Sequence, residues 1–232
     1  LWEWGWKSRE APAVLLAHGW GGSAAQMRAF AFPLLAAGFR VVTFDQPAHG
    51  LSEGRLTGAV DFAEVLAALA RAVGRVQAVV AHSLGAAAAA YAVARGLPLE
   101  SLVLVSPPAD FVGYSRRFAR WHWLPEPVRR SMQAAIEERY GVRWEELEIE
   151  RLGARVSGRA LVVHDRGDAV VPWRHGLRVA KAWPGGRFML TSGFGHGRLL
   201  REDAVVLAAA DFIAGKSAVA NIATAAYPSP LY

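Results

Sequence analysis

The stretch Val79-Val80-Ala81-His82-Ser83-Leu84-Gly85 decides how this chain is read. A β-branched run stops at a small residue, a lone serine sits at the stop, and an alanine-rich helical run, Gly85 to Arg95, starts at once. A strand that turns this sharply into a helix lifts its turn residue out of the fold. Backbones crowd there, so the positions two before and two after the serine must be small. Here they are Ala81 and Gly85. Ser83 then stands at the positive end of a helix dipole, which favours developing negative charge. The pattern departs from G-x-S-x-G by one methyl at Ala81. It also suits a serine that merely N-caps a helix after a buried strand, so the elbow reading needs partners elsewhere in the chain.

Outward from this point, strand-like and helix-like segments alternate, which predicts an α/β fold with a mostly parallel central sheet flanked by helices. Trp2, Trp4 and Trp6 alternate with other residues and read as an edge strand with one buried face. Ala13–Ala17 reads as a short buried strand that ends at His18-Gly19-Trp20-Gly21-Gly22, after which Ser23 is expected to cap a helix running to about Ala37. Arg40–Phe44 is the next strand, followed by the loop from Asp45 to Ser52. A helix is predicted over Val60–Val73, then strands at Ala78–Ala81 and Leu102–Val105. From Ala109 to Gly158 the rhythm breaks: aromatics appear, with helical patterning over Pro127–Tyr140 and Trp144–Leu152. Strands resume at Ala160–Val163 and Arg187–Leu190, separated by a helix after Pro172, and a last helix covers about Glu202–Ala214. The expected organisation is a core formed by 1–108 and 159–214, a small helical cap at 109–158 inserted between two sheet strands, and a loosely docked tail at 215–232.

Composition narrows the function classes. A chain of 232 residues fits one domain. It has no cysteine, which excludes disulfides and thiolate metal sites. No run reaches the roughly 18–20 apolar residues of a membrane span, and no basic-then-apolar signal opens the chain. The opening Leu1 in place of Met points to a trimmed start. A cytoplasmic setting is expected. The net charge of +6 is nearly all arginine, scattered among Glu and Asp. With no basic helix, zinc-finger spacing or RNP-type motif, no nucleic-acid partner is expected.

A serine nucleophile needs a base, and the base needs an orienting acid. Of seven histidines, His196 stands out, because Gly193-Phe194-Gly195-His196-Gly197 is a glycine-rich turn just after the last predicted strand. His82 adjoins Ser83 but points elsewhere on the turn and reads as structural. His49 lies in a tight turn and reads as locally bonded; His122, His164 and His175 lack a comparable loop. The acid should follow another strand's end, where Asp165 and Asp168 compete. Asp168 is favoured, because the Val170-Val171-Pro172 that follows it would fix the loop and start the next helix.

The order Ser83, Asp168, His196 is that of the α/β-hydrolase triad, and the chain resembles that superfamily over about residues 1–214. His18-Gly19-Trp20-Gly21-Gly22 looks like the H-G-x-x-G oxyanion loop. The loop from Asp45 to Ser52 looks like D-x-P-x-H-G-x-S, with Ala48 where glycine is common, and 109–158 sits where the family carries its cap. The resemblance implies that Ser83 attacks a carbonyl while His196 takes its proton, that Asp168 orients His196, and that the N–H groups of Trp20 and Leu84 hold the oxyanion. No metal or organic cofactor is implied, and neither H-E-x-x-H nor a dinucleotide fingerprint occurs. The expected function is a serine carboxylesterase of small to medium acyl substrates. The alternatives are a thioesterase or C–C hydrolase on the same triad, a cofactor-free haloperoxidase-like activity, or a ligand receptor with slow or no turnover. The expected partner is a small ester or thioester, and the oligomeric state stays open. Trp20, Phe111, Tyr114 and Phe118 are candidate substrate contacts, with plain packing as the other reading of the cap aromatics. Arg116, Arg117 and Arg120 fit a solvated helix face better than a receiver for an anionic tail such as coenzyme A.

Overall fold

The aliphatic runs of the sequence become a single sheet in the computed structural model, which describes residues 1–5, 10–152 and 155–216. Its strands are β1 (Trp2–Trp4), β2 (Ala13–Ala17), β3 (Arg40–Phe44), β4 (Val76–His82), β5 (Ser101–Val105), β6 (Arg159–Asp165) and β7 (Arg187–Thr191). They lie in the order β1-β3-β2-β4-β5-β6-β7. Only the β1–β3 pairing is antiparallel. Strands β2, β3 and β5 are buried at every position, as expected of a parallel sheet covered on both faces. The parallel pairing brings the C-terminal ends of β2, β4, β5, β6 and β7 to one edge, where ligands bind in open α/β sheets.

Two apolar layers cover the sheet. One side packs α2 (Ala59–Val73), α3 (Leu84–Ala94), α6 (Ile149–Leu152) and α7 (Trp173–Ala182), with Phe62, Leu66, Ala90, Leu152 and Val179 in its core. The other packs a 3₁₀ helix at Ala24–Phe30, α1 (Ala31–Ala36) and α9 (Asp203–Ile213), with Met27, Phe30, Val206 and Phe212 in its core. No helix among the described residues is long and apolar enough to cross a membrane.

Four expectations need correction. The helix expected over Ser23–Ala37 is a 3₁₀ helix followed by α1, and Ser23 makes no side-chain cap. Its role is taken by Asp45, whose Oδ1 accepts the Ala24 N–H at 2.8 Å. The edge strand has no fully buried face, since Trp2 is 41% exposed and Trp4 only partly buried; Trp6 lies outside the described residues. The pattern over Trp144–Leu152 splits at the extended Glu148 into a 3₁₀ helix, Trp144–Leu147, and α6. A further helix, α4 (Phe111–Trp121), has no counterpart among the expected elements; Asp110 starts it by accepting the Gly113 N–H. It precedes α5 (Glu126–Tyr140). The tail beyond Lys216 lies outside the described residues.

Candidate active site

Strand β4 and helix α3 meet at Ser83, whose backbone is left-handed at φ 51°. Holding a non-glycine residue there costs about 1–3 kcal/mol and is characteristic of functional turns. The surroundings enforce it. The Ser83 N–H donates to the Val105 carbonyl at 2.9 Å. A Cβ on Gly85 would come within 2.3 Å of the His18 carbonyl oxygen, and one on Gly19 within 2.8 Å of the Ser83 Cβ. Ala81 is fully buried between its register partners Ala17 and Leu104, so its methyl is accommodated.

His196 lies on the short helix α8 (Gly195–Arg198) beyond β7. Its Nε2 is 3.1 Å from the Ser83 Oγ, and its Nδ1 is 2.7 Å from the Asp168 Oδ2. A carboxylate only accepts, so the ring proton is on Nδ1 and Nε2 faces the serine hydroxyl as an acceptor. Asp168 is itself pinned, its Oδ1 accepting the N–H groups of Val170 (2.9 Å) and Val171 (2.8 Å). Burial alone would raise its pKa. The hydrogen bonds from His164 and His196, the electrostatic interaction with the His196 ring and the Val171 N–H outweigh burial and hold the carboxyl far below its ordinary value. The competing Asp165 braces the same region without meeting His196, accepting from Gly167 N–H, Thr191 Oγ1 and Phe194 N–H.

Two histidines that the sequence reading set aside belong to this network. His82 Nε2 donates to the His196 carbonyl at 2.9 Å, and the two rings lie 4.6 Å apart. Its Nδ1 is then unprotonated, buried and without a hydrogen-bond partner among the described residues. Burial, with the neighbouring His196, depresses its pKa to about 3. His164, fully buried at the end of β6, donates from Nε2 to the Val171 carbonyl at 2.9 Å and faces Asp168 Oδ2 at 3.3 Å. Its position four residues before Asp168, at a strand end, was the available signal. His49 also reaches further than a local turn: it accepts the Gly21 N–H at 2.9 Å, tying the loop after β3 to the loop after β2.

Among the described residues, the N–H groups of Trp20 and Leu84 make no hydrogen bond. Leu84 is the first residue of α3, where intrahelical acceptors are lacking. The Trp20 side chain is 61% exposed and lines a cavity of about 470 Å³ with His82, Phe194 and His196. The aromatic candidates separate. Tyr114 lines a second cavity of about 590 Å³, together with Val171, Pro172 and His175. Phe111 packs against Trp144 at 6.5 Å and Phe118 against His122 at 4.3 Å, and neither lines these cavities.

This arrangement can accept a proton from a serine hydroxyl, stabilise the resulting imidazolium, and offer two backbone donors beside the attacked carbon. A sequence profile of the alpha/beta hydrolase fold matches residues 12–126. A bifunctional esterase/perhydrolase of Acinetobacter calcoaceticus is 26% identical, over 83% of this chain and 87% of its own. Two crystal structures share the fold. A candidate non-heme bromoperoxidase of Mycobacterium tuberculosis gives a TM-score of 0.69 at 22% identity, covering 90% of this chain and 94% of that one. A monoacylglycerol lipase of Paleococcus ferrophilus gives 0.69 at 18%, covering 93% and 98%.

Proposed function

The chain belongs to the α/β-hydrolase superfamily, and from that premise we propose that it is a serine esterase of small to medium acyl substrates working through Ser83, His196 and Asp168. The supporting observation is the bonded chain from Ser83 Oγ through His196 to Asp168, 3.1 and 2.7 Å, at a strained strand-to-helix turn. The Ser83 oxygen attacks the ester carbonyl while its proton moves to His196 Nε2, and Asp168 stabilises the imidazolium. The oxyanion is held by the N–H groups of Trp20 and Leu84, each such donor contributing about 3–4 kcal/mol to the transition state. His196 returns the proton to the leaving alcohol, and water hydrolyses the acyl-serine with His196 again as base. Of the residues from 109 to 158, proposed as a cap over this site, Tyr114 is the proposed substrate contact, beside Trp20.

The test is hydrolysis of p-nitrophenyl esters from acetate to palmitate. Turnover with a chain-length optimum is expected, falling at least about 10³-fold in Ser83→Ala with the fold intact. Near-wild-type turnover in that variant would refute the assignment. The esterase/perhydrolase relative favours a second reading on the same residues: hydrogen peroxide replaces water at the acyl-serine and a peracid leaves. Peracid formation that requires Ser83 would establish it.

A further inference from the structure

Arg116 and Arg120 are exposed, as a solvated helix face requires, and Arg117 is half-buried; all three also line the cavity of about 590 Å³ between α4 and the loop that carries Asp168. Resting on the hydrolase reading above, we propose that this cavity is an anion-binding subsite, and that the preferred substrate is a small ester bearing a carboxylate or phosphate away from its scissile bond.

Charge is the first support. None of the three arginines forms an ion pair among the described residues. The two acids in the same wall are already engaged. Glu126 holds Arg129 and Arg130, and Asp110 accepts the Gly113 N–H as the cap of α4. A backbone N–H does not cancel the Asp110 charge, but one carboxylate against three arginines leaves the cavity with net positive charge.

Donor orientation is the second. Arg117 is half-buried and lies over the Trp121 ring at 5.4 Å; its Nη2 donates to the Ala169 carbonyl at 2.8 Å, and its Nε is buried with no acceptor among the described residues. His175 accepts the Ala109 N–H at its Nδ1, 3.1 Å away, so its ring proton is on Nε2 and available to donate. Burial lowers the His175 pKa and raises that of Tyr114, so at neutral pH His175 is neutral and Tyr114 keeps its hydroxyl proton. Guanidinium, imidazole and phenol groups thus line one volume. Carboxylate and phosphate oxygens, which only accept, match such a set, and guanidinium groups bind them with directional, charge-assisted bonds.

Position is the third. Val171 lines the cavity while its N–H holds Asp168, so the subsite adjoins the acid that orients His196. A neutral acyl chain would make no charge-assisted bond to these groups.

The experiment compares methyl hemiesters of malonate to adipate with neutral methyl esters of matching length, in wild type and in the double variant Arg116→Gln/Arg120→Gln. Both side chains are exposed, so the variant folds. At low salt, kcat/KM for at least one hemiester should exceed that of its neutral partner about tenfold, one charged contact's worth. That ratio should fall toward one in the variant and with added salt. A wild-type ratio near one, or a ratio the variant leaves unchanged, overturns the subsite while leaving the esterase reading in place. Failure to hydrolyse any ester overturns the esterase reading instead. The subsite is then decided by calorimetric titration of glutarate and of inorganic phosphate into wild type and the double variant. Binding of either that weakens at least about fivefold in the variant sustains it and names the anion; binding of neither overturns it.

Discussion

Helices α3 and α5 are held in place by opposite means. Of eleven residues in α3, eight are buried, and all are glycine, alanine or valine. Of fifteen in α5, only one is buried, and it is Arg129. Small side chains let α3 lie close against β4 and α2 with apolar contact all round, leaving no direction in which it can shift without opening a void. Helix α5 is tied to its neighbours mainly by directional polar contacts: Arg129 meets the Ser115 Oγ, Tyr140 meets Asp61 and Glu137 accepts the Trp144 N–H, with Ile136 and Tyr140 partly buried against a small apolar cluster, while the bonds of Arg129 to Glu126 and Gln133 lie within the helix itself. The proposed nucleophile must be held to a fraction of an ångström, and it sits at the head of the packed helix. Glu126, which lines the arginine-rich cavity, begins the polar-held one. Contacts of the second kind can break singly, so the cavity can be retuned while Ser83 stays where it is.

The strongest way to break this contrast is to enlarge one side chain on each helix. At Gly85 the new Cβ would meet the His18 carbonyl at 2.3 Å, and neither backbone can yield. Gly85→Ala should cost about 3 kcal/mol, lower the Tm by roughly 6–12 °C and abolish ester hydrolysis. Ala134 on α5 is exposed, and Ala134→Leu should change stability by less than about 0.5 kcal/mol. Equal effects, read by thermal unfolding, would remove the contrast.

Acid sharpens it next. His82 lies at the foot of α3, with its pKa pushed down to about 3 by burial and by His196. A histidine with a depressed folded pKa binds its proton only in the unfolded chain. Its stabilising effect is therefore complete above about pH 6.5 and drains as the pH falls toward 3. By pH 4 the loss should be on the order of 3 kcal/mol relative to pH 7. His82→Gln, which can still donate to the His196 carbonyl, should flatten that slope. Parallel Tm–pH curves for the two proteins would show that His82 is not the group responsible.

A smaller and more local effect is expected at Arg129. Glu126 is 42% exposed at its side chain and keeps water as a partner, so the ion pair contributes little by itself. Arg129→Ala loses the bonds to Ser115 and Gln133 and should cost about 1–2 kcal/mol. Amide exchange should quicken in α4 and α5 and stay unchanged in α3. Faster exchange in α3 as well would mean that the two helices form one cooperative unit.

What could be read in the sequence follows the same division. The elbow was legible because its geometry admits few residues, which makes Ala81 and Gly85 informative. Asp168 is favoured over Asp165 in the sequence because the apolar residues and Pro172 after it fix the loop, and in the structure Val170 and Val171 supply the N–H groups that hold its carboxylate. His82 was read as structural, because its acceptor, the His196 carbonyl, is 114 residues away in sequence. Asp45 as the cap of the first helical segment was hidden for the same reason: it arrives from 21 residues downstream of Ala24. Arg117 looked solvated because its burial exists only once α4 docks on the acid loop through Ala169. Local sterics are written in neighbouring residues, whereas long-range polar contacts require the packing of elements that periodicity alone does not orient.

Tyr140 gives the finest test, because it joins the two regimes. It ends α5, and its hydroxyl donates to Asp61 Oδ2, which also accepts the Gly58 N–H at the start of α2. Its ring stands where a Cβ on Gly58 would be, 3.1 Å from that position, so Tyr140→Phe keeps the packing and removes one hydrogen bond. Asp61 is half-buried, and water can replace the phenol. The cost should be about 1 kcal/mol or less, a Tm change of roughly 2–4 °C at most. Exchange should quicken at the C-terminal turn of α5, while the amides of α2 and α3 stay protected by their apolar contacts. If α2 and α3 lose protection equally, α5 is anchored as firmly as the core, and the arginine-lined cavity cannot be retuned without disturbing Ser83.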